Sequence, residues 1–140
     1  MIAELAQDLI NKVKTVPALA NNVGLASAGG PSDPSMSTAP LPSAWLLFES
    51  DSVTNTDIRG QLPEDIVFNF TLAVMISYTD QDDLINTQLP TIEAIARSVS
   101  GKESTNFALR WKYQGAQLVD VFTDRLVYEL KFMVSATYIV

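Results

Sequence analysis

The chain has 140 residues, 47% of them hydrophobic and 18% charged. That length suits one domain, and that apolar share excludes disorder as the overall state. Nine Lys and Arg against sixteen Asp and Glu leave a net charge of −7, with no cysteine and no histidine. This argues against gripping a phosphate backbone and removes disulfides, thiolate nucleophiles, Ser-His-Asp relays and His- or Cys-based metal sites.

Ile2, Leu5, Ala6, Leu9 and Val13 recur at helical spacing, with acids early and lysines late, as the helix dipole favours. The pattern predicts an amphipathic helix over 2–15, ended by Pro17. The opening residues have neither the basic start nor the continuous apolar core of a secretory signal, and the longest apolar runs, 44–48 and 72–76, are far short of a membrane span. The expectation is a chain made in the host cytoplasm, with no membrane partner. Residues 17–43 hold Asn21-Asn22, Gly24, Gly29-Gly30, Pro31, Pro34, Pro40 and Pro42, a composition that reads as a long loop. A short strand over 44–49 follows, then a polar hairpin loop over 50–63. Both polar segments, 17–43 and 50–63, are expected to be flexible alone and to order against neighbouring subunits.

From Glu64 the chain alternates strictly. Ile66, Phe68, Phe70, Leu72, Val74, Ile76 and Tyr78 define one wholly apolar face of a long strand. Asp80, Asp82 and Asp83 open a helix whose stripe is Leu84, Ile85, Leu89, Ile92, Ile95, Ala96 and Val99, with Gly101 as its stop. Pro90 inside that stripe predicts a kink or two short helical pieces. A third strand is expected over 106–113, with a turn at Gln114-Gly115. A last strand puts Leu126, Tyr128, Leu130, Phe132, Val134, Ala136 and Tyr138 on one face. The expected fold is α+β: a four-stranded sheet with two helices packed on one face, in the order α-β-β-α-β-β, forming a single domain over 1–140. Phe68, Phe70, Leu72, Val74, Leu130, Phe132 and Val134 are its expected core.

No catalytic constellation assembles from these residue types, and nothing in the sequence calls for a cofactor or a metal. Asp80, Asp82 and Asp83 fall short of a calcium loop because Leu84 and Ile85 occupy ligand positions, so helix capping is the simpler reading. Glu49 with Asp51, or Asp120 with Asp124, are the pairs a carboxylate-only hydrolase would use, but their spacing does not set them apart from surface acids. Asn69-Phe70-Thr71 matches a glycosylation acceptor inside a strand, a chance match in a chain without a secretion signal. Trp45 and Trp111 are read as packing residues rather than base-stacking groups.

The order of features resembles the tail terminator (tail completion) proteins of long-tailed bacteriophages, of the lambda-type and Mu-like families. The resemblance rests on a short N-terminal helix, a Pro/Gly-rich segment leading into Pro42-Ser43-Ala44-Trp45-Leu46-Leu47, and a long alternating strand over 68–78 that ends at Asp80-Gln81-Asp82-Asp83. It continues through a helix, an aromatic-basic strand with a Gly turn over 109–115, and a final strand with Leu126-Val127-Tyr128 and Phe132-Met133-Val134. The Ala/Gly/Pro/Ser stretch over 26–42 departs from it as an added arm. The resemblance implies a non-enzymatic virion protein at the tail–neck junction. It would work as a homo-hexameric ring that ends tube polymerisation, meeting the tail tube protein and sheath, neck or connector proteins, while DNA passes its channel without specific binding. A small ligand-binding α+β module and a carboxylate-only hydrolase are the alternatives from other classes.

Overall fold

The computed structural model describes residues 1–26, 39–55, 63–105, 107 and 109–139. Helix α1 (Ile2–Val13) is followed by a 3-10 turn at Pro17–Leu19 and strand β1 (Val23–Leu25). Two long strands come next, β2 (Ser43–Asn55) and β3 (Pro63–Ser77). A helical segment then comprises α2 (Gln81–Asp83), a π-helical turn at Leu84–Gln88, and α3 (Leu89–Val99). Strands β4 (Lys112–Val121) and β5 (Arg125–Ile139) complete the chain. The five strands form one mixed sheet in the order β1-β2-β3-β5-β4, with β1 parallel to β2 and the other pairs antiparallel.

The alternating pattern places the core where expected. Phe68, Phe70, Leu72, Val74 and Ile76 of β3 are buried with Leu126, Leu130, Phe132 and Val134 of β5. They pack under Leu5, Leu9 and Val13 of α1 and Ile92, Ile95 and Val99 of α3, in one continuous cluster. Phe70 faces Phe132 across the β3–β5 ladder and Phe48 across β2–β3. Burying each such side chain contributes about 1.5–3 kcal/mol, which is what holds two amphipathic helices on one face of a twisted sheet.

The architecture is α+β as expected, but the sheet has five strands rather than four, and the order is α-β-β-β-α-β-β. The extra strand, β1, lies in the segment read as loop. It is three residues long, too short for a period to register, and it exists because it pairs with Ala44, Trp45 and Leu46. Its middle residue is Gly24, where an added Cβ would come within 3.4 Å of the Trp45 ring, so a small residue suits the close approach. Left-handed backbone at Ala20 and Asn21, with φ of 48° and 67°, turns the chain into it. Residues 50–55 belong to β2 rather than to a hairpin loop, because they pair with 64–69 of β3. The expected arm and loop otherwise fall on 27–38 and 56–62, outside the described residues.

Two further expectations change. The strand expected over 106–113 begins later: β4 starts at Lys112, an isolated bridge between Glu103 and Arg110 precedes it, and residues 106 and 108 lie outside the described residues. Gly115 is not in a turn. It sits at a β-bulge between Tyr113 and Gly115 with φ of 114°, so the glycine that signals a turn in sequence supplies a kink inside a continuous strand. The reversal into β5 comes at Phe122, whose N–H donates to the Arg125 carbonyl at 2.9 Å. Pro90 acts as expected on its helix. Lacking an N–H and crowding the carbonyl four residues back, it follows directly on the wider π turn at Leu84–Gln88.

The other face of the sheet is partly covered. Ala73, Met75 and Val127 are fully buried there, packed against Ala39, Leu41, Trp45 and Phe122. The buried Arg125 holds this flap in place by donating from Nη1 to the Ala39 carbonyl at 2.8 Å.

Candidate functional site

The acidic residues singled out in sequence take separate structural roles. Asp80 caps the second helical segment, its Oδ1 accepting the Asp83 N–H at 2.8 Å. Asp83 accepts from Gln88 Nε2 at 3.2 Å and from Thr79 at 3.4 Å. Among the described residues no three His, Cys, Asp or Glu side chains converge as a metal-ligating group. Asp124 is held below its ordinary pKa by the hydrogen bond from the Arg125 guanidinium, while Asp120 accepts the N–H of Val121 at 2.9 Å. Glu49 and Asp51 do not act as a pair. A bulge between Phe48 and Ser50 turns Glu49 onto the helix-free face, whereas Asp51 pairs in register with the core residue Phe68.

Both tryptophans are packing residues. Trp111 is buried, sits edge-on to Phe70 at 5.5 Å, and donates from Nε1 to Asp8 at 2.8 Å. Trp45 donates to the Ser43 hydroxyl at 3.0 Å on the helix-free face. Asn69 also faces that side, where its amide reaches Ser50 at 3.4 Å.

Three features were not visible in sequence. The first is a buried hub at Asp8. Its carboxylate accepts from Lys12 Nζ at 2.8 Å, from the Thr105 hydroxyl at 2.6 Å and N–H at 3.2 Å, and from Trp111. Burial pushes the Asp8 pKa up, but hydrogen bonds from Lys12, Thr105 and Trp111 outweigh it and hold the carboxyl below 3.8. The second is a polar ladder across three strands of the helix-free face. Lys131 Nζ donates to Glu49 at 2.8 Å and to the Thr71 hydroxyl at 2.9 Å, and Thr71 donates to Glu49 at 2.7 Å. Glu129 lies 3.8 Å from the same ammonium. Lys131 and Thr71 hold the Glu49 pKa below its ordinary value. The ladder floors an open cleft of 360 Å³ beside Leu47 and Phe48. Its one ammonium is held between two carboxylates, so it offers polar contact rather than a reactive group. No sequence signal marks it, because its members come from β2, β3 and β5 and meet only through register.

The third feature is the edge at β4, which has no further strand beside it among the described residues. Leu118, Val119 and Val121 are exposed on this one strand, the outermost of its side of the sheet. Unpaired strand groups with apolar side chains are a template for another chain, so the candidate functional site is a surface for assembly.

No protein-family model matches the sequence, and no curated protein matches it. A chain in the solved virion of a native gene transfer agent (GTA) particle does match in structure, with a TM-score of 0.60 over 96% of this chain and 95% of that one. The two chains share a fold. At 15% sequence identity the likeness lies in how the elements are laid out, and it runs nearly end to end in both chains.

Proposed function

We propose that this chain is a structural protein of a phage-like virion and, within it, the tail terminator. It caps the tail tube as a hexameric ring, ends tube polymerisation and presents a surface to the neck. The observation that carries the reading is the end-to-end fold match to a chain of a gene transfer agent virion. The order of elements that resembles tail terminators agrees with it, and so does a surface suited to contact, a helix-free face bearing a hydrogen-bonded polar ladder. The reading assigns the chain no catalysis. Its partners are further copies of itself, the tail tube protein, and sheath or neck proteins.

Each subunit brings a net charge of −7, so a ring must overcome self-repulsion through apolar and hydrogen-bonded contact between subunits. A channel wall of that sign repels passing DNA and lets it slide. The test is imaging of purified chain mixed with tail tubes, together with particles assembled without it. Rings at one tube end, and tubes of uncontrolled length when the chain is missing, are expected. A chain that binds no tube end and whose loss leaves tube length unchanged overturns the assignment.

A further inference from the structure

The β4 edge is polar in two senses, and the two senses match. We infer that two copies of this chain pair antiparallel along β4, about a two-fold axis at Ala116, to give a continuous ten-stranded sheet.

The inference starts from which face each β4 residue occupies. Lys112, Gly115, Gln117 and Asp120 stand opposite Met133, Lys131, Glu129 and Val127, on the helix-free face. Tyr113, Ala116, Leu118 and Val121 stand opposite Phe132, Leu130, Tyr128 and Leu126, on the helix face. Gln114 and Val119 are the bulged residues between them. A two-fold axis perpendicular to the sheet keeps each face on itself, so residues may pair only with others of the same face. Two such registers, centred on Ala116 and on Gln117, each pair seven residues, and the one centred on Ala116 is the one that joins opposite charges. It sets Lys112 against the partner's Asp120, Tyr113 against the partner's Leu118, and Gly115 against the partner's Gln117.

Three properties of the edge suit that register. Ala116 is exposed and small, so two copies meet on the axis without a clash. Lys112 is exposed and has no ion-pair partner among the described residues, while Asp120 lies at the other end of the strand on the same face. The pairing therefore joins opposite charges twice. On the helix face, Leu118 and Val121 are nonetheless 44% and 61% exposed. At the Lys112 end the same face offers a 290 Å³ groove between α3 and Tyr113, floored by Ile92 and Ala96. Antiparallel pairing brings the apolar end of one copy to the groove of the other. A patch and its complement on one surface, related by a two-fold, define an isologous interface. The opposite edge is a poorer mate: β1 has three residues against ten in β4, and neither Val23, Gly24 nor Leu25 is charged.

The test is the oligomeric state of the purified full-length chain by sedimentation equilibrium, with Lys112→Asp, Asp120→Lys and the double variant. Wild type is expected to dimerise at micromolar to submillimolar concentration. Each single reversal turns two attractive contacts per dimer into repulsive ones and should weaken dimerisation roughly tenfold. The double variant restores opposite charges at both contacts and should recover most of that loss. Ala116→Arg, which crowds the axis but leaves the exposed monomer surface free, should abolish the dimer while keeping the wild-type circular dichroism melt. If Ala116→Arg fails to fold, Val121→Lys serves in its place. A wild-type monomer at millimolar concentration overturns the inference, as do single reversals without effect or a double variant no better than either single. Because these readouts use the chain alone, their failure leaves the tube-end reading standing, and the failure of that reading leaves the dimer standing.

Discussion

The indole N–H of Trp111 donates at 2.8 Å to the carboxylate of Asp8, a residue 103 positions earlier in the chain. Through this bond and those from Thr105, the first helix is tied to the loop that leads into β4. Asp8 is buried yet carries a negative charge, and every donor around it is needed to offset its lost hydration. Asp8→Ala leaves the Trp111 N–H and the Lys12 ammonium without their acceptor. It should cost about 3 kcal/mol, read as a lower midpoint in urea with an unchanged slope. A midpoint within error of wild type would show that the hub is not structural.

Because the folded-state pKa of Asp8 lies below 3.8, its contribution to stability is fully present above that value. It is lost as pH falls through the lower folded-state value, since the unfolded chain takes up the proton first. Melting temperatures measured from pH 6 down to pH 2 should therefore fall more steeply for wild type than for Asp8→Asn. Parallel curves would contradict the assignment.

Phe70 is fully buried between Phe48, Phe132 and Trp111. Phe70→Ala removes the ring contacts with Phe48 and Trp111 and should cost about 3–5 kcal/mol, enough to leave a chain of ordinary stability partly unfolded or insoluble. A soluble variant with an unchanged melt would mean that the β3 face is assigned to the wrong side.

At Gly115, with φ of 114°, an added Cβ meets nothing within 4 Å, so any cost of substitution comes from the backbone rather than from crowding. Gly115→Val should destabilise by about 1–3 kcal/mol. Gly24→Ala, with ordinary backbone and a contact at 3.4 Å to Trp45, should change stability much less. Equal effects at the two sites would remove the argument for a strained bulge.

The Lys131–Glu49 pair is 38% and 47% exposed, so solvent screens it and Glu49→Gln should shift stability by no more than about 1 kcal/mol. What the pair adds by holding Glu49 ionised is present above the ordinary value of 4.5 and fades as pH falls below it. Thermal melts of Glu49→Gln at pH 7 and pH 3.5 check both statements: a small deficit is expected at pH 7 and a smaller one at pH 3.5.

Local pattern alone determined the two-layer arrangement and its core. Period two in β3 and β5 and a helical stripe in α1 and α3 each record a single burial direction, and a burial direction is a property of a segment of sequence. The cap at Asp80 and the disturbance before Pro90 were legible for the same reason, since both act within one turn of helix. Tertiary structure decided the rest. The strand β1 exists only because Val23, Gly24 and Leu25 find β2 beside them, and residues 50–55 extend only because β3 lies opposite. Gly115 reads as a turn until β5 runs past it as a pairing partner and makes it a bulge. Asp8 with Trp111, and Glu49 with Thr71 and Lys131, are separated by tens of residues and meet only through packing and register. The same holds for the β4 edge: which of its residues share a face depends on two bulges, and no sequence period survives an inserted residue.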